Sequence, residues 1–191
     1  GSTTGAATNL GDIAMTTNLA AVVATVTVLF ITWFRYGKPD VSMTLNGTLA
    51  GLVAITAGCD VVSPYAAMAI GLIAGFIVVI IVELLDKVLK VDDPVGAVAV
   101  HCGWMGTILT GVFVKGSVLA DWGMSRLQFF GIQVLGVVSV MAYVGVCAFI
   151  LFTILNKTIG LRVSAEEEID GLDMHEHGMS AYANFRLHDD R

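Results

Sequence analysis

The sequence predicts an all-α membrane protein, a polytopic bundle of spanning helices followed by an acidic tail. Of its 191 residues, 56% are hydrophobic and only 14% are charged, whereas soluble domains have about 45–50% apolar and about 25% charged residues. The apolar residues form long blocks near the roughly 20 residues that a spanning helix needs. Charge is also segregated, because from Thr158 onward three arginines face eight acidic residues. These observations predict lipid around the body and water around the tail.

Five apolar blocks make up the body, at about residues 14–34, 43–62, 65–85, 95–114 and 127–155. Charged residues, glycine or proline separate them and indicate helix ends. The last block is longer than one untilted crossing, which predicts a tilt, a kink or a cytoplasmic extension. Residues 1–13 are interpreted as the extracytoplasmic end of a preceding helix and a loop. Residues 158–191 form the acidic tail.

Lysine and arginine orient the blocks, because cytoplasmic loops carry an excess of both. Six basic residues fall on one side of the predicted bundle and two, Lys115 and Arg126, on the other. The richer set contains Arg35, Lys38, Lys87, Lys90, Lys157 and Arg162. We therefore expect a multi-pass protein of the cell membrane with a cytoplasmic C-terminus. Asp60 and Glu83 lie near block ends, where an interfacial position is expected.

Small residues recur at helical spacing, as in Gly47 with Gly51 and in Ala67 with Gly71 and Gly75. Lipid tails are as apolar as leucine, so membrane helices associate through close backbone approach over small residues. The stripes predict a tightly packed bundle. They are generic and indicate nothing about what the protein carries.

His101 is the one ionisable side chain well inside a predicted spanning block. An ionisable group at that depth is costly and marks a functional site by default. A neutral imidazole offers one donor and one acceptor, so it can pass a hydrogen bond along a file of small polar molecules. The alternative is a histidine bonded to the carbonyl of a neighbouring helix. Trp104, one turn later, either lines the same path or packs, and packing is the commoner role. Asp92 and Asp93 at the start of the block suit a capping role, because carboxylates favour a helix N-terminus.

Other classes of function find little support in the sequence. Cys59, Cys102 and Cys147 lie far apart, without the spacing of a metal site or a disulfide framework. We see no paired nucleophile and base and no phosphate-binding loop, so an enzyme is not predicted. No cofactor and no metal are expected. The charge balance is too acidic for a nucleic-acid partner.

Three segments, in the right order along the chain, resemble the ammonium transporter family. Residues 46–59, NGTLAGLVAITAGC, resemble its signature helix. The Asp92-Asp93-Pro94 run followed by His101 resembles its penultimate spanning helix. The tail resembles the family's cytoplasmic segment through GLRV at 160–163, GLD at 171–173, His177-Gly178 and Ala181-Tyr182.

The resemblance implies a fold and a mechanism. Family members have eleven spanning helices in two inverted five-helix halves plus a long final helix, and they assemble as homotrimers. This chain resembles the second half with the final helix. Ammonium would be captured outside and lose a proton, and ammonia would pass a pair of histidines along a dry pore. His101 corresponds to the second of that pair, and Ser2 to a serine of the outer recruitment site. The first histidine belongs to the N-terminal half, which we expect as a necessary partner.

The resemblance also gives the tail a role. The tail would dock a PII-type signal protein or couple neighbouring subunits, through Gly171, Leu172, Asp173, His177, Gly178 and Tyr182. A solvated, unstructured end is the alternative for this tail. The alternative for the whole chain is an ammonium-sensing or regulatory membrane module that acts through the tail.

Overall fold

The chain is all-α in the computed structural model, which describes residues 9–91, 93, 96–101 and 103–179. Two compact units make it up, Gly1–Val140 and Met141–Arg191. The described residues contain no strand, only an isolated bridge between Val62 and Val114. The predicted all-α class is confirmed.

The first unit contains most of the helices. They are α1 Leu10–Tyr36, α2 Val41–Ile55, α3 Pro64–Glu83 with the π-helical turn Leu84–Leu89, α4 Ala97–Val100, α5 Gly103–Phe113 and α6 Gly116–Asp121. Helix α7, Arg126–Thr158, begins in this unit and ends in the second. The second unit also holds α8, Ala165–Asp170, and α9, Leu172–His177.

Three helices of the described part are long and apolar enough to cross a membrane, namely Leu10–Tyr36, Pro64–Leu89 and Arg126–Thr158. Two further apolar helices are shorter, α2 and α5. The 15 residues of α2 give a length of about 22 Å at about 1.5 Å per residue. That length is less than a hydrocarbon core of about 30 Å.

Two of the five apolar blocks differ from single continuous helices. In the block at 43–62, α2 ends at Ile55, because the amides of Thr56 and Gly58 bond to carbonyls three residues back and tighten the last turn. In the block at 95–114, α4 ends at Val100 and α5 begins at Gly103. The fourth block is thus two helices joined at His101.

Glycine lets α2 and α3 close onto α1. A Cβ added at Gly51 would lie 2.6 Å from the carbonyl oxygen of Ala20, and one at Gly71 would lie 2.9 Å from its carbonyl carbon. Only glycine fits such approaches, and close backbone contact is what holds helices together in lipid. The tight packing predicted from the small-residue stripes is confirmed at both glycines.

Contacts between helix ends fix which ends of the first unit lie together. The Thr16 hydroxyl donates to the carbonyl of Cys59 at 2.6 Å, so the start of α1 lies beside the end of α2. The Lys115 amide donates to the carbonyl of Val61, which adds the end of α5 to this end. The opposite end carries the salt bridge that joins α1 to α3 through Glu83.

Candidate functional site

His101 lies at the joint between α4 and α5, with an exposed side chain. Its φ and ψ of −76° and 51° leave the helical region, so α4 stops there. Both halves of the broken helix pack against α2 and α3. In a membrane, non-helical backbone is tolerated where it is buried in protein or lines a water-filled cavity. The break therefore makes His101 a candidate for a pathway-lining position, and its ring is exposed.

The imidazole is held by its own helix. Its Nδ1 lies 2.6 Å from the carbonyl oxygen of Ala97, one turn earlier. A carbonyl oxygen only accepts, so this partner assigns the proton to Nδ1. In a neutral ring, Nε2 is then an acceptor. The contact differs from the neighbouring-helix carbonyl that was the sequence alternative, and it leaves Nε2 for another group.

Asp93 sets the start of the helix that carries His101. Its two carboxylate oxygens accept from the amides of Ala97 at 2.8 Å and Val98 at 3.0 Å. These amides have no partner inside the helix, and a carboxylate there also favours the helix dipole. The capping role predicted for Asp93 is confirmed. Asp92 and Pro94 lie outside the described residues.

Gly96 provides the turn between Asp93 and α4. Its φ of 67° is a left-handed conformation that side chains rarely adopt, and the residue is buried. An added Cβ would meet the side-chain amide of Asn46 at 2.5 Å. Helix α2 thus passes close to Gly96, the residue just before α4, and we call residues 96–101 the His101 segment.

Gly106 fixes the second half of the broken helix on α2. A Cβ at Gly106 would lie 2.6 Å from the carbonyl carbon and the Cα of Ala54, and closer still to the carbonyl oxygen. These are backbone atoms, which no rotamer change can move aside. The His101 joint is therefore anchored at both sides, by Asp93 and Gly96 before it and by Gly106 after it.

Comparison with known proteins gives these residues a family context. The profile of the Ammonium Transporter Family matches residues 1–182. The chain belongs to the ammonium transporter family.

Curated relatives and solved structures agree with this membership. The ammonium transporter Amt2 of Archaeoglobus fulgidus is 45% identical over 189 residues, covering 91% of this chain and 39% of its own length. The ammonium transporter 1 member 3 of Solanum lycopersicum is 36% identical, covering 92% of this chain and 42% of its own length. The structure of a Sensor Amt Protein superposes with a TM-score of 0.82 at 38% identity, covering 90% of this chain and 43% of that one. Mep2 of Saccharomyces cerevisiae gives a TM-score of 0.71 at 30% identity, with 81% and 37% covered.

The chain spans about two fifths of the length of these transporters. The recognised resemblance is therefore confirmed, and so is the interpretation of the chain as part of the larger fold. The family is one of transporters, which supports the prediction of a transport protein over an enzyme.

The tail residues of this transporter-family chain lie on two short helices. Gly171 ends α8 with a φ of 92°, Leu172 and Asp173 open α9, His177 ends it, and Gly178 follows with a φ of 67°. Ser2 and Tyr182, the two remaining predicted site residues, lie outside the described residues. The tail helices and the His101 segment belong to different units and are separate candidate sites.

A capping box organises the start of the tail. The Ser164 hydroxyl accepts from the Glu167 amide, and the Glu167 carboxylate accepts from the Ser164 amide at 2.8 Å. The hydrogen bond from the Ser164 backbone amide, and after it the Ser164 side chain, hold the pKa of Glu167 below its ordinary value. His175 Nδ1 lies 4.0 Å from the Glu167 carboxylate, which links α9 back to α8. The segment 164–177 is therefore locally organised.

Sequence reasoning missed three features of the site. Gly96 and Gly106 gave no signal beyond being glycines, because their role appears only when α2 lies beside them. The interfacial position of Glu83 stays a prediction, but the sequence did not show that its side chain, only 13% exposed, holds three partners. A carboxylate four residues before a lysine was the available signal for one of these pairs.

Proposed function

We propose that this chain forms one wall of a pathway for ammonium or ammonia across the membrane, with His101 as its pore-lining group. The observation that carries the proposal is the position of His101 at a helix break, with an exposed ring whose Nδ1 is already bonded. Membership of the ammonium transporter family supplies the cargo class.

The chemistry follows from the fixed ring. With the proton on Nδ1, the Nε2 lone pair accepts a hydrogen bond from an N–H of the cargo. Ammonia, a small neutral molecule with donors and an acceptor, can exchange such bonds along a file without carrying charge through lipid. Ammonium costs far more to desolvate, so we propose that it transfers one proton to water outside the narrow path, giving ammonia and hydronium, before it passes His101. The ring then guides neutral ammonia.

The relatives are more than twice as long as this chain. We propose that the part of those relatives that this chain does not match is an N-terminal half, and that it supplies the opposite wall, including a second histidine facing His101. The outer recruitment site, to which we assign Ser2, requires that half as well.

Uptake measurements test the proposal. Methylammonium uptake would be compared in transporter-deficient cells that express this chain alone or together with the N-terminal part of the Archaeoglobus relative. Uptake is expected only with both parts, and it should fall to background in His101→Leu, where a bulky apolar group replaces the bonding edge. A matched variant is Val98→Ala, an exposed α4 residue. Equal uptake in the His101→Leu and wild-type chains would refute the pore role.

A second candidate function is ammonium sensing through the tail. Two observations favour it: one similar structure is that of a Sensor Amt Protein, and the tail has a capping box and two helices. We propose that a PII-type signal protein would contact the tail through Gly171, Leu172, Asp173, His177, Gly178 and Tyr182. Deleting the residues after Gly160 should abolish binding of such a protein and leave uptake measurable. Binding that survives the deletion would contradict this role.

We further propose a homotrimer in the cell membrane with the tail on the cytoplasmic side. The orientation is supported by the basic residues at one end of the bundle, where Arg35 and Lys87 meet at Glu83. Assembly is supported by an apolar groove of about 800 Å³ along α1 and α3, which a second copy could fill. Native mass spectrometry in mild detergent should detect three copies. A monomer at all detergent concentrations would contradict the assembly.

A further inference from the structure

Glu83 is the centre of a polar cluster that ties α1 to α3 at the end of the bundle opposite Cys59. Its Oε2 accepts from Arg35 Nη2 at 2.7 Å. Its Oε1 accepts from Lys87 Nζ at 2.9 Å and from the Tyr36 hydroxyl at 2.6 Å. Lys87 Nζ also lies 5.7 Å from the centre of the Tyr36 ring. We call these four residues the Glu83 cluster.

The cluster differs from an ordinary surface ion pair in the burial of its central group. The Glu83 side chain is 13% exposed, whereas those of Arg35 and Lys87 are more than half exposed. Exposed pairs contribute little, because water screens them and long side chains lose entropy in holding them. A partly buried carboxylate with three donors depends on them more than a fully exposed one does, since less water surrounds it once they are removed. Removing the carboxylate in turn removes the group with which Arg35 and Lys87 both pair.

The cluster lies where α3 changes its winding. Glu83 is the last α-helical residue, and the π-helical turn Leu84–Leu89 follows at once. Lys87 lies within that turn, so the cluster grips the turn as well as the helix before it. Lys90 then adopts a left-handed φ of 52°, unusual for a side-chain-bearing residue, and the Val91 amide closes onto the carbonyl of Leu85 at 3.0 Å. Such π turns occur frequently at functional sites.

The same stretch of chain leads directly to the candidate pore residue. After the turn it reaches Asp93, whose carboxylate caps α4, and α4 ends at His101. The described residues between Glu83 and His101 thus include the gripped π turn, the left-handed Lys90 and the short capped helix α4. A change in the register of the π turn would move Asp93, and with it the start of the four-residue helix that ends at His101.

We propose that Glu83 is a positioning residue for the His101 site: by clamping α1 to the π turn, it fixes where Asp93 starts α4 and hence where the His101 ring lies. This inference rests on the proposed function, because the position of the His101 ring matters for transport only if the ring lines the pathway. The effect of Glu83 on that position does not depend on the pore role. A purely stabilising clamp between α1 and α3 is the competing account.

Histidine spectroscopy separates the two accounts. The whole chain, with ¹⁵N-labelled histidine, would be reconstituted in lipid bilayers, and the His101 imidazole signals assigned by their absence in His101→Ala. In Glu83→Gln these signals should shift or split, because the ring loses its single position. Asp86→Asn, which removes the neighbouring carboxylate of the same turn, should leave them unchanged. Tyr36→Phe removes one donor to Glu83 and keeps the charges, so it should change the His101 signals in the same direction but less. It tests the same contact if Glu83→Gln does not fold.

Transport kinetics provide a second test. Uptake would be measured with this chain joined to the N-terminal part of the Archaeoglobus relative. Glu83→Gln should lower the maximal uptake rate roughly two- to thirtyfold, with little change in KM, because the ring is displaced and no binding group is removed. A lower melting temperature with unchanged His101 signals would overturn the proposal and favour the stabilising clamp. If uptake does not depend on His101 but the His101 imidazole signals still change in Glu83→Gln, the proposed pore role is wrong. The positioning role of Glu83 is then still supported.

Discussion

Replacing Gly106 with alanine perturbs the packing that holds α5, and so the His101 joint, against α2. The new Cβ would lie 2.6 Å from the carbonyl carbon of Ala54, where ordinary contacts lie at 3.4–4 Å. The two backbones must therefore separate by at least about 0.8 Å, since dispersion contacts between carbon atoms are optimal near 3.5–4.0 Å. Neither backbone has a rotamer that would relieve the contact.

The loss of folding stability in Gly106→Ala can be estimated from two opposing contributions. Overpacking a well-packed core typically costs about 1–3 kcal/mol, and a backbone clash belongs at the upper end. Replacing glycine by alanine within a helix stabilises the folded state by about 1 kcal/mol, because alanine has the higher helix propensity. The expected net loss for Gly106→Ala is about 2 kcal/mol, or roughly 4–8 °C in melting temperature for a chain of this size.

Circular dichroism melting of the whole chain in detergent measures this loss. The matched control is Gly131→Ala in α7, where an added Cβ meets nothing within 4 Å, so stability should stay the same or rise slightly. The His101 imidazole signals should also change in Gly106→Ala and not in Gly131→Ala. A Gly106→Ala chain that melts with the wild type and keeps its His101 signals would refute the argument that this contact sets the joint.

Three further predictions concern single polar contacts. Asp93→Ala removes both capping oxygens of α4 and should cost about 1 kcal/mol, seen as faster hydrogen exchange of the first α4 amides; wild-type exchange would contradict the cap. The pKa of Glu167 is lowered by the Ser164 amide, so the stabilisation by the capping box is present above its ordinary pKa of 4.5 and lost as pH falls through the lowered value. Carboxyl ¹³C titration should show this, and a midpoint at or above the ordinary value would exclude it. Thr16→Val removes the bond to the Cys59 carbonyl and should cost about 1 kcal/mol in chemical unfolding; an unchanged midpoint would show that the bond contributes nothing.

Much of the fold was predictable because lipid imposes simple rules. Long apolar blocks have to become helices, since only helices satisfy the backbone within a single segment. Gly71 could be predicted as a contact residue from its spacing with Ala67 and Gly75 alone. His101 stood out because an ionisable residue in an apolar block is rare and costly.

The interruptions of the helices were not predictable from local sequence. The block containing His101 has no proline at the break, and its apolar pattern reads as continuous. Gly96 and Gly106 meet α2 on either side of the break, and these are tertiary contacts. The residues of the π turn after Glu83 are likewise good helix formers, and Arg35 and Tyr36, which bond to Glu83 just before the turn, lie on another helix. Non-local contacts of this kind override helix propensity.

The most direct test of the account measures methylammonium uptake by proteoliposomes containing this chain joined to the N-terminal part of the Archaeoglobus relative. Uptake is expected to be saturable, to fall to the level of empty liposomes in His101→Leu and to stay at the wild-type level in Val98→Ala. Uptake in His101→Leu equal to that of the wild type would contradict the central claim that His101 lines the pathway.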